Sequence, residues 1–203
     1  VVSLHGLGGA PMKNIQTVFG KPRMEGEDKR ARERHPKRVG YSPYFVLSPD
    51  GFGSSGYRAF GEVDVLEAIE KVQERYRIDP DRIYVTGFSM GGIGSAAVAL
   101  RNPGIFAAAA PLCGYHSLFI YPSVRNRKLR PWEELLVSFN SNKDWALTGE
   151  YLPLYVVHGL RDNPLNSRLL VDRYKHYGYK VTYLTPDEGH DVWTDTYKDR
   201  WIF

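Results

Sequence analysis

The sequence predicts an α/β protein built on a mostly parallel sheet flanked by helices. Short apolar runs alternate with amphipathic stretches along the whole chain, and this alternation favours parallel strands joined by helices. Several of the runs are continuously apolar, which is typical of strands covered on both faces. The predicted strands are residues 1–4, 44–48, 82–86, 105–110, 153–158 and 180–184.

Three helices are predicted between these strands. In residues 63–77 the apolar side chains recur at helical spacing, with charged side chains on the other faces. Residues 91–101 are small and apolar, which allows a helix to lie close to a sheet. A third helix begins near Leu165 and ends at Gly178. Residues 115–151 do not fit the alternation, and we interpret them as an insertion near the active site.

Length and composition indicate one globular domain, residues 1–203. Hydrophobic residues make up 42% and charged residues 25% of the 203 positions, which excludes disordered, collagen-like and coiled-coil classes. Cys113 is the single cysteine, so an intrachain disulfide is excluded. No apolar run approaches the roughly 18 residues of a membrane-spanning helix, so no membrane partner is predicted.

The net charge of +4 arises from one segment, residues 21–38, since the first 38 residues carry nine Lys or Arg and four Asp or Glu. We interpret this segment as a solvated loop or short helix. Contact with an anionic surface is the alternative. Aromatic side chains are not interleaved with the basic ones, so binding of nucleic acid is not predicted.

The first residue is Val1, and residues 1–4 have the pattern of a strand already under way. No targeting segment is visible at this end. We therefore expect the chain to be part of a longer protein whose early strands are missing here. Localisation and oligomeric state stay open at this stage.

The segment Gly87-Phe88-Ser89-Met90-Gly91 carries the strongest functional signal. It follows a predicted strand and precedes a predicted helix, as a GxSxG nucleophile elbow does. Such a turn is so tight that the positions two residues either side of the serine cannot carry a bulky Cβ, and both are glycine. Ser89 is therefore the predicted nucleophile. A glycine-rich turn with a solvent-facing serine is the alternative.

A serine nucleophile needs a base, and His190 follows the last predicted strand on a loop. His5 and His158 end earlier strands, and we interpret them as loop-anchoring residues. The imidazole in turn needs an acid, for which Asp162 lies on the loop after residues 153–158. The rivals Asp187 and Asp191 are closer to His190 in sequence. Asp162 as the N-cap of the next helix is the further alternative.

The oxyanion formed during acyl transfer needs two backbone N–H donors. Met90 supplies one at the start of a helix, and the glycine-rich loop after the first strand supplies the second. On that loop Leu7 is the first choice and Gly6 the second. A glycine-rich turn without a catalytic part is the alternative.

The segments HGLGG, DPDRIYVTGFSMGG, APLCG, LPLYVVHGLRD and EGHDVW occur in this order and resemble the α/β-hydrolase fold. More narrowly, the chain is similar to the branch that holds esterase-D-like and feruloyl-esterase-like enzymes, polyhydroxybutyrate-depolymerase-like proteins and the prolyl oligopeptidase catalytic domain. The resemblance covers nearly the whole chain. It implies Ser89 as nucleophile, Asp162 as acid and His190 as base, with Leu7 and Met90 donating to the oxyanion.

These observations predict a serine hydrolase that cleaves a carboxylic ester through an acyl-enzyme. A prolyl-oligopeptidase-like peptidase is the first alternative, although the chain has no propeller and Met90 follows the serine. A non-catalytic hydrolase-fold binding domain is the second. The expected substrate is a small-molecule or saccharide-linked ester.

Aromatic side chains are the candidates for the substrate pocket. The first choices are Trp193, which closely follows His190, and Tyr115, which lies at the start of the insertion. Further aromatics in or beside the insertion are Phe119, Tyr121, Trp132 and Trp145. Cys113 is interpreted as a small packed residue. Paired Cys/His clusters and a phosphate-binding loop are not visible, so no metal or cofactor is predicted.

Overall fold

Parallel strands form one sheet with the order β1-β2-β3-β4-β5, as seen in the computed structural model, which describes residues 1–20 and 44–197. The strands are β1 Val2–Leu4, β2 Tyr84–Phe88, β3 Ala108–Leu112, β4 Leu154–Val157 and β5 Val181–Leu184. The described helices are α1 Pro11–Phe19, α2 Phe60–Arg75, α3 Met90–Arg101, α4 Pro131–Phe139, α5 Leu165–His176 and α6 Trp193–Thr196. The predicted α/β class is confirmed.

Two predicted strands lie further along the chain than expected. The strands predicted at 82–86 and 105–110 are Tyr84–Phe88 and Ala108–Leu112. Residues Pro80–Arg82 instead form a 3-10 turn, because the Asp79 carboxylate accepts a hydrogen bond from the Asp81 N–H. Strand β2 begins after this turn and ends at Phe88, the residue before Ser89.

The strand predicted at 44–48 is reduced to a single parallel bridge between Val2 and Leu47. Ser3 N–H donates to the Leu47 carbonyl at 2.8 Å, and Leu47 N–H donates to the Val1 carbonyl at 2.9 Å. The pairing stops there because β1 is only three residues long and Pro49, which has no N–H, follows. The basic segment 21–38 lies outside the described residues.

The sheet is covered on both faces, as the continuous apolar runs predicted. One apolar cluster joins α2, α3 and α5 to strand residues such as Leu4 and Val156. A second cluster joins α1 and α6 to Leu112 and Val157. Neighbouring strand residues fall into different clusters because side chains alternate between the faces. Within residues 1–20 and 44–197, no helix is long and apolar enough to span a membrane.

Residues 115–151 connect β3 to β4. They contain the 3-10 turn Leu118–Ile120, helix α4 and a longer 3-10 segment, Asn142–Gly149. The longer segment packs against α3 and α5, and Trp145 contributes to the larger apolar cluster. Its indole N–H donates to the Phe139 carbonyl at 2.8 Å, so this predicted pocket aromatic serves the packing of the connection.

His116 is a fully buried histidine at the start of this connection. Its Nδ1 accepts a hydrogen bond from Asn142 Nδ2 at 3.0 Å, while its Nε2 has no partner among the described residues. Burial, followed by the charges of His158 and Arg58, lowers the pKa of His116 to about 3. The folded protein therefore holds this ring neutral throughout the mildly acidic range.

This burial predicts a loss of stability on acidification. The unfolded chain binds a proton at His116 below its ordinary value of 6.5, whereas the folded chain does not, so stability falls as the pH drops from 6.5 toward 3. Each group of this kind contributes up to ~1.4 kcal/mol per pH unit. Urea unfolding of His116→Gln between pH 6.5 and 5 should show a shallower pH dependence than the wild type.

The matched control is the same substitution at His176, which is exposed at the end of α5. His176→Gln should keep the pH dependence of the wild type. An unchanged pH dependence in His116→Gln would contradict the role assigned to the buried ring.

Candidate active site

Ser89 occupies a strained turn between β2 and α3. Its backbone has φ 56° and ψ −118°, a conformation that residues with a side chain rarely adopt. A Cβ at Gly87 would collide with the Gly91 carbonyl, and a Cβ at Gly91 would collide with the Leu4 carbonyl at the end of β1. The turn therefore needs glycine at both positions, because a Cβ has no room there, as the GxSxG pattern predicts.

His190 lies on the loop after β5, at the same edge of the sheet as Ser89. Its Nε2 is 3.0 Å from Ser89 Oγ, and its Nδ1 is 2.7 Å from Asp162 Oδ2. The His190 side chain is 48% exposed, so the imidazole faces solvent on one side. The structure thus brings together the three side chains that the sequence proposes as nucleophile, base and acid.

Asp162 lies on the loop between β4 and α5 and contacts two histidines through one oxygen. Its Oδ2 is 2.7 Å from His190 Nδ1 and 2.9 Å from His158 Nε2. Burial acts to raise the pKa of Asp162, but hydrogen bonding and charge from the two imidazoles outweigh burial and hold this pKa below its ordinary value. A carboxylate in this state accepts hydrogen bonds and donates none.

The alternative acids do not contact the His190 ring. The Asp187 carboxylate is 3.2 Å from Arg161 Nε in a pair whose side chains are 79% and 68% exposed. Asp191 is exposed and makes no hydrogen bond to the His190 ring in the described part of the chain. Helix α5 begins at Leu165 without a side-chain cap, so Asp162 is not its N-cap.

The two predicted oxyanion donors lie on neighbouring segments. Gly91, in the first turn of α3, packs on the Leu4 and His5 carbonyls, so the start of this helix meets the loop that carries Leu7. Gly9 N–H donates to the Gly6 carbonyl at 2.9 Å and closes that loop into a turn. Among residues 1–20 and 44–197, neither Leu7 N–H nor Met90 N–H donates to another backbone carbonyl.

The predicted pocket aromatics have different surroundings. The Trp193 ring stacks on Phe88 with 4.6 Å between centroids and meets the His190 ring edge-on at 5.3 Å. Trp193 therefore supports one side of the imidazole. Tyr115 makes an edge contact with Tyr121 at 5.3 Å, on the connection that follows β3.

Two histidines interpreted as loop-anchoring residues have defined partners. His5 contacts the Gly6 carbonyl at 2.9 Å and the Asp50 carbonyl at 3.0 Å, and so holds two loops together. His158 contacts Asp162, a partner that sequence reasoning missed. The four-residue spacing of His158 and Asp162 in HGLRD was the available signal, but a loop spacing does not fix where side chains meet.

Cys113, His158 and Asp162 are the described residues that come nearest to a metal site, with donor atoms all within 4.8 Å of one another. The 2.9 Å between His158 Nε2 and Asp162 Oδ2 is a hydrogen bond. It is shorter than the roughly 3.3 Å that separates two ligands of one tetrahedral zinc ion. Burial raises the pKa of the Cys113 thiol to about 12, so Cys113 packs here as a neutral side chain.

Comparisons with known proteins find hydrolases that are similar to part of this chain. The chain is 36% identical over 73 residues to S-formylglutathione hydrolase of Bos taurus, an overlap of 34% of this chain and 26% of that protein. It is 36% identical over 58 residues to poly(3-hydroxyalkanoate) depolymerase C of Paucimonas lemoignei, covering 28% of this chain and 14% of that protein. The chain thus spans about a quarter or less of these relatives.

A crystal structure of a thermostable esterase matches all of this chain and 53% of its own, at 25% identity and a TM-score of 0.60. This similarity confirms the α/β-hydrolase fold. The prolyl oligopeptidase family matches residues 50–202, a stretch that holds Ser89, Asp162 and His190. Because that match covers three quarters of the sequence, the chain belongs to the prolyl oligopeptidase family.

Proposed function

We propose that the chain is a serine hydrolase that cleaves a carboxylic ester through an acyl-enzyme. The observation that carries this proposal is the contact of His190 with both Ser89 Oγ, at 3.0 Å, and Asp162 Oδ2, at 2.7 Å. A hydroxyl becomes a nucleophile when a neighbouring base accepts its proton, and an imidazole is such a base when a carboxylate fixes its tautomer.

In the proposed reaction Ser89 Oγ attacks the ester carbonyl carbon while its proton passes to His190 Nε2. The ester oxygen leaves with that proton as an alcohol, and the acyl group stays on Ser89. A water molecule then gives a proton to the same Nε2 and attacks the acyl carbon. The bond between that carbon and Ser89 Oγ breaks, the carboxylic acid leaves, and the proton on Nε2 restores the Ser89 hydroxyl. Throughout, Asp162 accepts from Nδ1–H and stabilises the imidazolium.

The N–H groups of Leu7 and Met90 are the proposed oxyanion donors. The two N–H groups lie on segments that the Gly91–Leu4 contact holds together. Met90 opens helix α3, whose N-terminus carries partial positive charge. The proposed substrate is a small-molecule ester. A saccharide-linked ester is the finer possibility, supported by the exposed rings of Tyr121 and Trp132 on the connection after β3.

Replacement of the nucleophile tests the proposal directly. Ser89→Ala should lower kcat for short p-nitrophenyl esters about 1000-fold or more, because the hydroxyl that forms the acyl bond is gone. A fluorophosphonate probe should label the wild type but not this variant. Ser54→Ala, a change at an exposed serine, should leave activity and labelling unchanged. Equal labelling of Ser89→Ala, or none of the wild type, would favour a binding domain.

Replacement of the acid separates the two candidate aspartates. Asp162→Asn should lower kcat on the order of 10⁴-fold, because an amide cannot hold His190 in the required tautomer. Asp187→Asn makes the same change on an exposed pair and should stay within about two-fold of the wild type. A larger loss of kcat in Asp187→Asn would show that the acid is wrongly assigned.

A peptidase is the second candidate, and the prolyl oligopeptidase family match over residues 50–202 is the observation that favours it. To separate the two candidates, kcat/KM is measured on p-nitrophenyl esters and on a proline p-nitroanilide. Both substrates are used with the wild type and with Ser89→Ala. We expect the Ser89-dependent rate to be greater with the ester. Faster cleavage of the anilide would replace the esterase proposal with the peptidase.

A further inference from the structure

We propose that His158 is a positioning residue that holds the Asp162 carboxylate in place for His190, with the buried Ser167 hydroxyl on the other nitrogen of the His158 ring. This inference rests on the proposed function, because it concerns the acid of that reaction. It goes beyond the loop-anchoring interpretation, since the atom that His158 holds is the carboxylate oxygen used by His190.

The His158 ring is fully buried at the end of β4, and both of its nitrogens have partners. Nδ1 is 2.7 Å from Ser167 Oγ, and Nε2 is 2.9 Å from Asp162 Oδ2. Ser167 is itself fully buried on α5, and its hydroxyl also lies 3.3 Å from the Gly114 carbonyl. A rigid helix, a buried ring and the carboxylate thus form a continuous chain of contacts.

The proton positions along this chain follow from the partners. The ionised Asp162 only accepts, so His158 Nε2 must carry the proton that it donates. Burial lowers the pKa of His158, which keeps the ring neutral. Nδ1 therefore carries no proton and accepts a hydrogen bond from the Ser167 hydroxyl. The opposite tautomer would place a lone pair of Nε2 against the carboxylate. The acceptor-only Asp162 carboxylate therefore selects the tautomer, and the Ser167 hydroxyl, which can donate or accept, fills the remaining nitrogen as donor.

Both imidazoles converge on one oxygen, but from different environments. The His190 side chain is 48% exposed and the His158 side chain is 0% exposed. The buried donor binds Asp162 Oδ2 from inside the protein, while the exposed ring uses the same oxygen from the solvent side. The hydrogen bond from His158 fixes the Asp162 carboxylate. His190 therefore has its hydrogen-bond acceptor at one position.

Backbone hydrogen bonds hold together the loops that carry Asp162 and His190. The part left for His158 is to fix the Asp162 carboxylate. Leu160 N–H donates to the Pro186 carbonyl at 2.8 Å, and Arg161 N–H donates to the Glu188 carbonyl at 2.9 Å. The loops that carry Asp162 and His190 are therefore joined without any imidazole. Loss of the His158 ring removes the restraint on the carboxylate and leaves these bonds in place.

The test is a double-mutant cycle on kcat. His158→Leu should lower kcat ~10- to 100-fold with KM within about two-fold, because the acid is displaced while the substrate surface is intact. His158→Gln, whose amide N–H can reach the same oxygen, should recover most of this loss. In the Asp162→Asn background, His158→Leu should cause no further loss, because its effect passes through the carboxylate.

Ser167→Ala provides a second variant in case the buried leucine prevents folding, which thermal unfolding will reveal. It should lower kcat on the order of 10-fold in the wild type and leave the Asp162→Asn variant unchanged. Ser95→Ala is the matched control, since this serine is equally buried but donates only to the Gly92 carbonyl. It should retain the kcat of the wild type.

Nitrogen-15 NMR of histidine-labelled protein reads the tautomer without catalysis. The His158 ring should carry its proton on Nε2 in the wild type, because the Asp162 carboxylate only accepts. An Nδ1–H tautomer in the wild type would overturn the proposal, as would losses of kcat that are equal in the wild-type and Asp162→Asn backgrounds. Failure of the proposed function has a different signature, namely esterase activity that survives Ser89→Ala.

Discussion

The close packing of Gly91 on the Leu4 carbonyl is the constraint on which the site depends. It places the first turn of α3 against the end of β1, and a side chain at this position would separate them. The same contact brings the loop of Leu7 beside the turn of Ser89. The sheet, the proposed nucleophile and the proposed oxyanion donors are therefore linked by one close backbone contact that only glycine permits.

Two histidines, His158 and His190, contact the proposed acid, and their different burial gives them different roles. His158 is buried, neutral and bonded at both nitrogens, so its hydrogen bond to Asp162 is a fixed part of the structure. His190 is half exposed and contacts Ser89 Oγ, as the proposed base must. One oxygen serves both, and its two donors offset the cost of burying the charge.

The family match and the structural similarity support a common hydrolytic chemistry but leave the scissile bond open. Esterases and peptidases share the elbow, the base and the acid, because both form an acyl-enzyme on serine. The difference between ester and amide substrates arises from the pocket and the leaving group. The side chains predicted to line that pocket are Trp193, which contacts the His190 ring, and Tyr115 on the connection after β3.

Hydrophobic periodicity and glycine spacing are local properties, so the sequence alone predicted the α/β class and the turn at Ser89. Positions after predicted strands added Asp162 and His190 as the proposed acid and base. Strand boundaries shifted by two or three residues, since the Asp79 turn decides where β2 begins. The contact of His190 with Asp162, in place of Asp187, and the contact of His158 with the same carboxylate appear only in the folded chain. Both depend on which loops meet at the edge of the sheet, and sequence distance carries no information about that.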